Sequence, residues 1–167
     1  MSVLIFADQS DGHLKKSSLE VLSYGAKLAE MMGISAEGLV LGSVSDDLSE
    51  LGKYGVKKIH QVNDVSLNHM DAQQFSAVIA EAVKQTGATV VVFSNNLTGK
   101  AVAPRLSARL KAGLVSGAVA LPDLANGFVV KKNVFSGKAF AHISVKSDIK
   151  MIALNPNSYT ITTGAGT

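Results

Sequence analysis

Val90-Val91-Val92-Phe93-Ser94-Asn95-Asn96-Leu97-Thr98-Gly99-Lys100, continued by Ala101-Val102-Ala103-Pro104-Arg105-Leu106-Ser107-Ala108-Arg109-Leu110, decides how this chain is read. A β-branched run of the kind covered on both faces stops at a small polar loop. The loop then passes through Gly-Lys into an apolar, arginine-bearing helix. In open parallel α/β sheets, ligands sit outside the carboxyl ends of the strands, where loops and helix N-termini converge. This loop is therefore where a nucleotide or a partner is expected.

The known phosphate motifs do not fit it. A P-loop places four residues between its first glycine and Gly-Lys-Ser/Thr, because that glycine permits the turn and the hydroxyl holds magnesium. Around Gly99-Lys100 those two positions are Ser94 and Ala101, and around Gly137-Lys138 they are Lys132 and Ala139. No Gly-x-Gly-x-x-Gly occurs either. The spacing argues against tight triphosphate binding or hydrolysis.

The 167 residues suit one domain with a sizeable core. A hydrophobic content of 47%, against 17% charged, describes a compact apolar globule. The net charge is +3, but the basic pairs Lys15-Lys16, Lys57-Lys58 and Lys131-Lys132 are scattered, and there is no tryptophan. A nucleic-acid binder needs a clustered basic face and, for single strands, stacking platforms. That class is set aside. The absence of cysteine removes disulfides, thiolate catalysis and thiolate metal sites. No segment approaches the roughly 20 apolar residues of a membrane helix, and Met1 to Asp8 lacks the basic start of an export signal. A cytoplasmic protein of bacterial type, not inserted in a membrane, is expected.

Strands and helices alternate through the first half. Val3 to Ala7 reads as a buried strand. Ser17 and Glu20 have capping-box spacing, followed by Leu19, Leu22, Ala26 and Ala29 at helical intervals and Gly33 as the stop. Ala36 to Leu41 is a second strand, Asp46 to Tyr54 a short helix, and Lys57 to Val62 a third strand. Asp71 caps a helix whose Phe75, Val78, Ile79, Ala82 and Val83 form one stripe ended by Gly87. Val90 to Phe93 is the fourth strand and Gly99 to Leu110 the helix after it. Pro104 either kinks that helix or leaves Thr98 to Val102 as an irregular first turn.

Beyond Gly113, the segments Val115 to Leu121, Phe128 to Val134, Ala139 to Val145 and Met151 to Leu154 read as short strands. Asn126-Gly127 and Ser136-Gly137 mark turns, the first of a type favouring tight hairpins. The fold expected is α/β, a largely parallel sheet flanked by helices, with antiparallel strands added in the C-terminal half. Residues 1–159 form one domain. Residues 160–167 lack an apolar period and read as a linker-like tail leading toward a further domain.

Candidate functional residues have paired readings. Asn95, Asn96, Thr98, Gly99 and Lys100 either cradle a phosphate or cap their own helix. Asp8 either binds a ribose or caps the following loop. Arg105 and Arg109, four apart, either meet a partner's carboxylates or shield the Leu106 and Leu110 stripe with their stems. His13, His60, His69 and His142 have no metal-ligand spacing, so no metal site is expected. Gly113-Leu114-Val115-Ser116-Gly117 misplaces the serine of a nucleophile elbow by one position. Asp46-Asp47 suits a helix start better than acid–base catalysis.

Gly99-Lys100-Ala101-Val102-Ala103-Pro104-Arg105-Leu106-Ser107-Ala108-Arg109-Leu110 resembles the Gly-Lys-x-x-x-Pro-Arg-x-Ala-x-x-Leu segment of electron transfer flavoprotein alpha subunits. Val3 to Asp8, with the Ser17 to Ala29 helix, is similar to the start of that subunit. Val134 to Ala139 resembles its Tyr-Ala-Gly-Asn/Lys-Ala strand, and Met151 to Tyr159 its Thr-Val-Arg-Pro-x-x-Phe strand. Asn155 stands in place of the usual arginine, and Phe135-Ser136 in place of Tyr-Ala. The resemblance covers nearly the whole chain, in order.

It implies an α/β fold like that of the adenine-nucleotide alpha hydrolases. It further implies the N-terminal scaffold domain of such a subunit, packing against the beta subunit in an FAD-containing heterodimer. That heterodimer would carry electrons from flavin dehydrogenases, such as the acyl-CoA dehydrogenases of fatty acid β-oxidation, to a membrane quinone oxidoreductase. FAD would lie in the flavin-binding C-terminal domain, whose glycine-rich signatures this sequence lacks. AMP would lie in the beta subunit. This domain would be no enzyme. The alternative is a free-standing adenine-nucleotide-binding sensor or stress module that uses Asp8 and Asn95 to Lys100.

Overall fold

Val3, Leu4 and Ile5 are fully buried in β1 (Ser2–Phe6), which forms the centre of the sheet. The computed structural model describes residues 1–163; the last four residues of the linker-like stretch lie outside the described residues. β1 pairs in parallel with β4 (Ser35–Leu41) on one side and β6 (Ala88–Ser94) on the other. β5 (Lys58–Val62) extends the β4 side. Beyond β6 come β10 (Lys150–Leu154), β7 (Gly113–Ala118), β8 (Val129–Val134) and β9 (Ala139–Ser144). The sheet thus has eight strands in the order β5-β4-β1-β6-β10-β7-β8-β9.

Alternation along the strands divides the core in two. Val3, Ile5, Val90, Val92 and Ile152 face α1 (Lys16–Met32), where Val21, Leu22 and Leu28 meet them. Leu4, Phe6, Val91, Phe93 and Met151 face α2 (Ala72–Thr86) and α3 (Leu97–Leu110). There Phe6 packs against Phe75 and Phe93 with ring centroids 6.1 and 5.6 Å apart. Gly25 lets α1 lie this close to the sheet, because a Cβ there would collide with Ile5. The longest helix has 17 residues, and none among the described residues is long and apolar enough to cross a membrane.

Several local expectations need correction. Lys15, without any side-chain cap, begins α1, so Ser17 already lies in its first turn. Glu20 therefore caps nothing at that end; it is buried and accepts the Asn157 N–H at 2.9 Å. The segment expected as a helix over Asp46 to Tyr54 is a 3-10 helix over Leu48–Tyr54, capped by Asp47, while Asp46 turns back to Leu14. Asp71 does cap α2, and Gly33 and Gly87 end their helices in the left-handed region.

Pro104 causes no break. α3 begins two residues earlier than expected, at Leu97, and runs through Pro104 to Leu110. Pro104 and Lys100 lie on the exposed face, so the Lys100 carbonyl left without its helical donor faces water.

Only part of the C-terminal half is antiparallel. β7 and β10 are parallel members of the main sheet; β8 and β9 form the antiparallel addition. After the β8–β9 hairpin the chain returns and inserts β10 between β6 and β7, pairing Ile152 with both Val92 and Val115. Asn126-Gly127 lies in a wider loop than a two-residue turn, closed by mutual hydrogen bonds between Asp123 and Val129. The Asp123 carboxylate accepts the Ala125 N–H, which sets that wider turn.

Candidate functional site

The strand order reverses direction between β1 and β6, so the crevice at their carboxyl ends is the topological switch point. Ala7 and Asp8 leave β1 there, and Asn95 and Asn96 leave β6. The structure thereby brings together two of the residues singled out in the sequence, Asp8 and Asn96.

Asn96 is the N-cap of α3. Its Oδ1 accepts the Gly99 N–H at 2.9 Å, while Nδ2 lies 3.4 Å from both Asp8 Oδ2 and Ser17 Oγ. Asp8 is almost fully buried, and Lys15 Nζ donates to its carboxylate at 2.7 Å. Ser18 Oγ fixes the Asp8 main chain by donating to its carbonyl. Gly99 is required by contact: a Cβ at that position would overlap the Ser94 carbonyl oxygen, so α3 starts tightly against the end of β6.

Thr98 is buried and lines the same small cavity as Asp8, about 230 Å³ in volume. Asn95 points elsewhere. Its N–H donates to the Leu154 carbonyl at 2.7 Å, and its amide to Asn155 Oδ1 at 3.0 Å. Asn155, the residue found in place of arginine, thus ties β10 to β6. Lys100, Arg105 and Arg109 lie on the exposed face of α3, away from the crevice.

A miniature hairpin, β2 (Gln9–Ser10) and β3 (His13–Leu14), lies beside the crevice. Gly12, in the left-handed region, offers its carbonyl to the Ser45 N–H, and Asp46 accepts from Leu14 N–H at 2.8 Å and from His13 Nδ1 at 3.0 Å. Those hydrogen bonds, His13's first and Leu14's next, hold the Asp46 carboxyl below its ordinary range.

This arrangement serves a helix cap better than a nucleotide. The N-terminus of α3 would attract an anion. The protein's own carboxylate, Asp8, already lies next to its cap, and a phosphate placed there would face that charge. The cavity is below the roughly 300–1,000 Å³ usual for ligand pockets. The residues present do not fit a dinucleotide such as FAD at this crevice. Among the described residues, no three His, Asp or Glu side chains converge as a metal site.

Sequence reasoning did not find Lys15, Ser17, Ser18 or Asn155. Lys15 lies seven residues from Asp8, and the other contacts span 10 to 79 positions. Nothing in local spacing announces such pairs.

Residues 3–167 match the family model described as the electron transfer flavoprotein domain. The chain is 27% identical over 161 residues to electron transfer flavoprotein subunit alpha of Bacillus subtilis, covering 93% of this chain and 48% of that protein. It is 29% identical over 144 residues to the corresponding subunit of Clostridium acetobutylicum, covering 84% and 43%. A similarity of 23% identity over 143 residues extends to the lactate dehydrogenase (NAD(+),ferredoxin) subunit LctC of Acetobacterium woodii, covering 84% and 34%. The chain spans about half the length, or less, of these curated relatives.

Proposed function

The chain belongs to the electron transfer flavoprotein domain family, and from that premise we propose that it is the scaffold domain of an alpha-type subunit. In this reading it packs against a beta subunit in an FAD-containing heterodimer. The heterodimer takes electrons from acyl-CoA and other flavin dehydrogenases and delivers them to the respiratory quinone pool. FAD belongs to a flavin-binding domain following residues 1–159, and AMP to the beta subunit. The domain itself catalyses nothing, and the setting is cytoplasmic.

One observation carries the reading. The family match runs across the entire sheet, yet at the switch point Asp8, Lys15 and Asn96 satisfy one another. A domain retained in this form supports its neighbours rather than holding a cofactor.

The test is co-expression with the beta subunit of the same organism, followed by light scattering and absorbance. A one-to-one complex is expected, and the chain purified alone should be colourless. Thermal shift with AMP, ATP or FAD should show no rise. A ligand at 100 times its Kd adds about 2.7 kcal/mol, which for this size raises Tm by roughly 5–10 °C. Such a rise with AMP or ATP would establish the nucleotide-binding module instead, with Asp8 and Thr98 as its contacts. Stoichiometric flavin on the isolated chain would overturn the scaffold reading.

A further inference from the structure

We infer that the outer face of α3 docks an acidic protein surface, with Leu97 as the apolar anchor and Lys100, Arg105 and Arg109 as the charges that select it. The inference rests on the scaffold reading, in which the companion beta subunit supplies that surface.

Helical geometry sets the pattern. At 100° per residue, Leu97, Pro104 and Ala108 fall on one line, with Lys100 on one side and Arg105 and Arg109 on the other. Leu97 is 86% exposed, whereas Val102, Ala103 and Leu106 on the opposite face are completely buried. The inner face alone therefore anchors the helix, and the outer face has no part in the core. Pro104 and Ala108 are small, so a partner's backbone can approach closely between the charged side chains.

The charge pattern is one-sided. Residues 97–111 contain no Asp or Glu. Arg105 and Arg109 are like charges four residues apart, a spacing that works against the isolated helix. The adjacent α2 has a single carboxylate, Glu81, and that group accepts the Gln85 amide. Among the described residues the ion pairs lie elsewhere, and none involves Lys100, Arg105 or Arg109. An exposed leucine beside unpaired arginines matches the composition of interface centres, which favour arginine and an apolar anchor. The complement of such a face is carboxylate-rich with an apolar recess. Three cations without an aromatic stacking partner make a poor nucleic-acid footprint.

The experiment measures the Kd of the chain for the beta subunit at 0.05 and 0.5 M NaCl. Three variants are compared with the wild type: Arg105→Glu/Arg109→Glu, Leu97→Asp, and a control, Lys57→Glu/Lys58→Glu, which changes charge equally at the distant β5 edge. We expect each α3 variant to weaken binding by about 30-fold or more, the control to leave it unchanged, and the wild-type Kd to rise with salt. Arg105→Lys/Arg109→Lys should retain much of the affinity, which separates charge from folding, and melting curves monitor the fold of every variant. If the wild type binds and all variants bind equally well, α3 is not the docking face, although the scaffold reading survives. If the wild type does not bind the beta subunit, both fall. Arginine-dependent binding of a duplex DNA probe, with no effect on the beta subunit, would assign the face to nucleic acid and overturn the inference.

Discussion

The carboxylate of Glu20 accepts the backbone N–H of Asn157 at 2.9 Å, joining the second turn of α1 to a residue 137 positions later. Asn157 holds a left-handed φ of 63° at that point. Tyr159 then packs edge-on against Tyr24, with centroids 5.5 Å apart, and Thr162 exchanges hydrogen bonds with Ser23. Residues 157–162 thus form a strap across α1, anchored by groups that a helical pattern assigns to opposite faces. Glu20→Ala should destabilise the domain by about 1–3 kcal/mol, because it strands a donor and empties a buried position. Glu20→Gln keeps an acceptor and should cost less. Urea unfolding of the two variants checks the order; equal losses would show that the hydrogen bond is unimportant.

Asn96→Ala removes the cap of α3 and should cost about 1 kcal/mol. Asn96→Asp restores the cap but sets a second carboxylate against Asp8. Facing carboxylates raise one another's pKa in the folded state, so this variant should gain stability relative to wild type as pH falls from 7 toward 4. Denaturant midpoints at both pH values decide the matter.

Gly99→Ala tests close approach against propensity. Alanine is better in a helix by about 1 kcal/mol. The overlap with the Ser94 carbonyl should outweigh that gain, leaving a net loss of about 1–3 kcal/mol. At Gly87, where a Cβ meets open space but φ is +67°, alanine should cost about 1–2 kcal/mol for a different reason. A melting comparison in which Gly99→Ala is the more stable of the two would refute the steric account.

Tyr24 gives the domain an alkaline limit. Burial foremost, with Tyr159 adding to it, pushes the phenol pKa well above its ordinary value. Its folded value exceeds its unfolded value, so the stability it contributes is complete below about pH 10 and declines above that, as the unfolded chain ionises first. Tyr24→Phe should flatten stability above pH 10. Below pH 9 it should cost about 0.5–1.5 kcal/mol, from the lost 2.8 Å hydrogen bond to the Ala120 carbonyl.

Asp46 acts in the opposite direction. Its folded pKa lies below the unfolded value near 3.9, so its contribution is present above that pH and disappears as pH falls through the lower folded value. Hydrogen-exchange protection of the Leu14 amide should be constant from pH 7 to 5 and fall below about pH 4. Protection that persists at lower pH would mean that another group holds the β2–β3 hairpin.

The layout of the sheet was largely legible where periodicity and caps agree. Val3 to Ala7 and Val90 to Phe93 are near-continuous apolar runs, and Asp71 with Gly87 brackets α2. Family resemblance supplied what local pattern lacked, since no phosphate motif or catalytic spacing marks the chain. Local pattern failed where a residue's partner is remote. Ser17 and Glu20 have the spacing of a capping box, yet one reaches Asn96 and the other Asn157. Asp46 and Asp47 are identical in local context, but only Asp47 caps the 3-10 helix. At the switch point, Asp8 and Asn96 could be named as neighbours from the fold class alone. Lys15, which neutralises Asp8, could not.

The insertion of β10 between β6 and β7 bears on how the protein is made. A ribosome that has released everything up to Ser147 has emitted β6 and β7 but not the strand that separates them. Both then present a bare hydrogen-bonding edge, and the apolar side chains of Val91, Val92 and Val115 lack the neighbours that Met151 and Ile152 will bring. Long-range parallel pairing of this sort is slow, and exposed edges invite association between nascent chains. Completion of the domain is therefore a late event in its synthesis, gated by the emergence of five residues near its end.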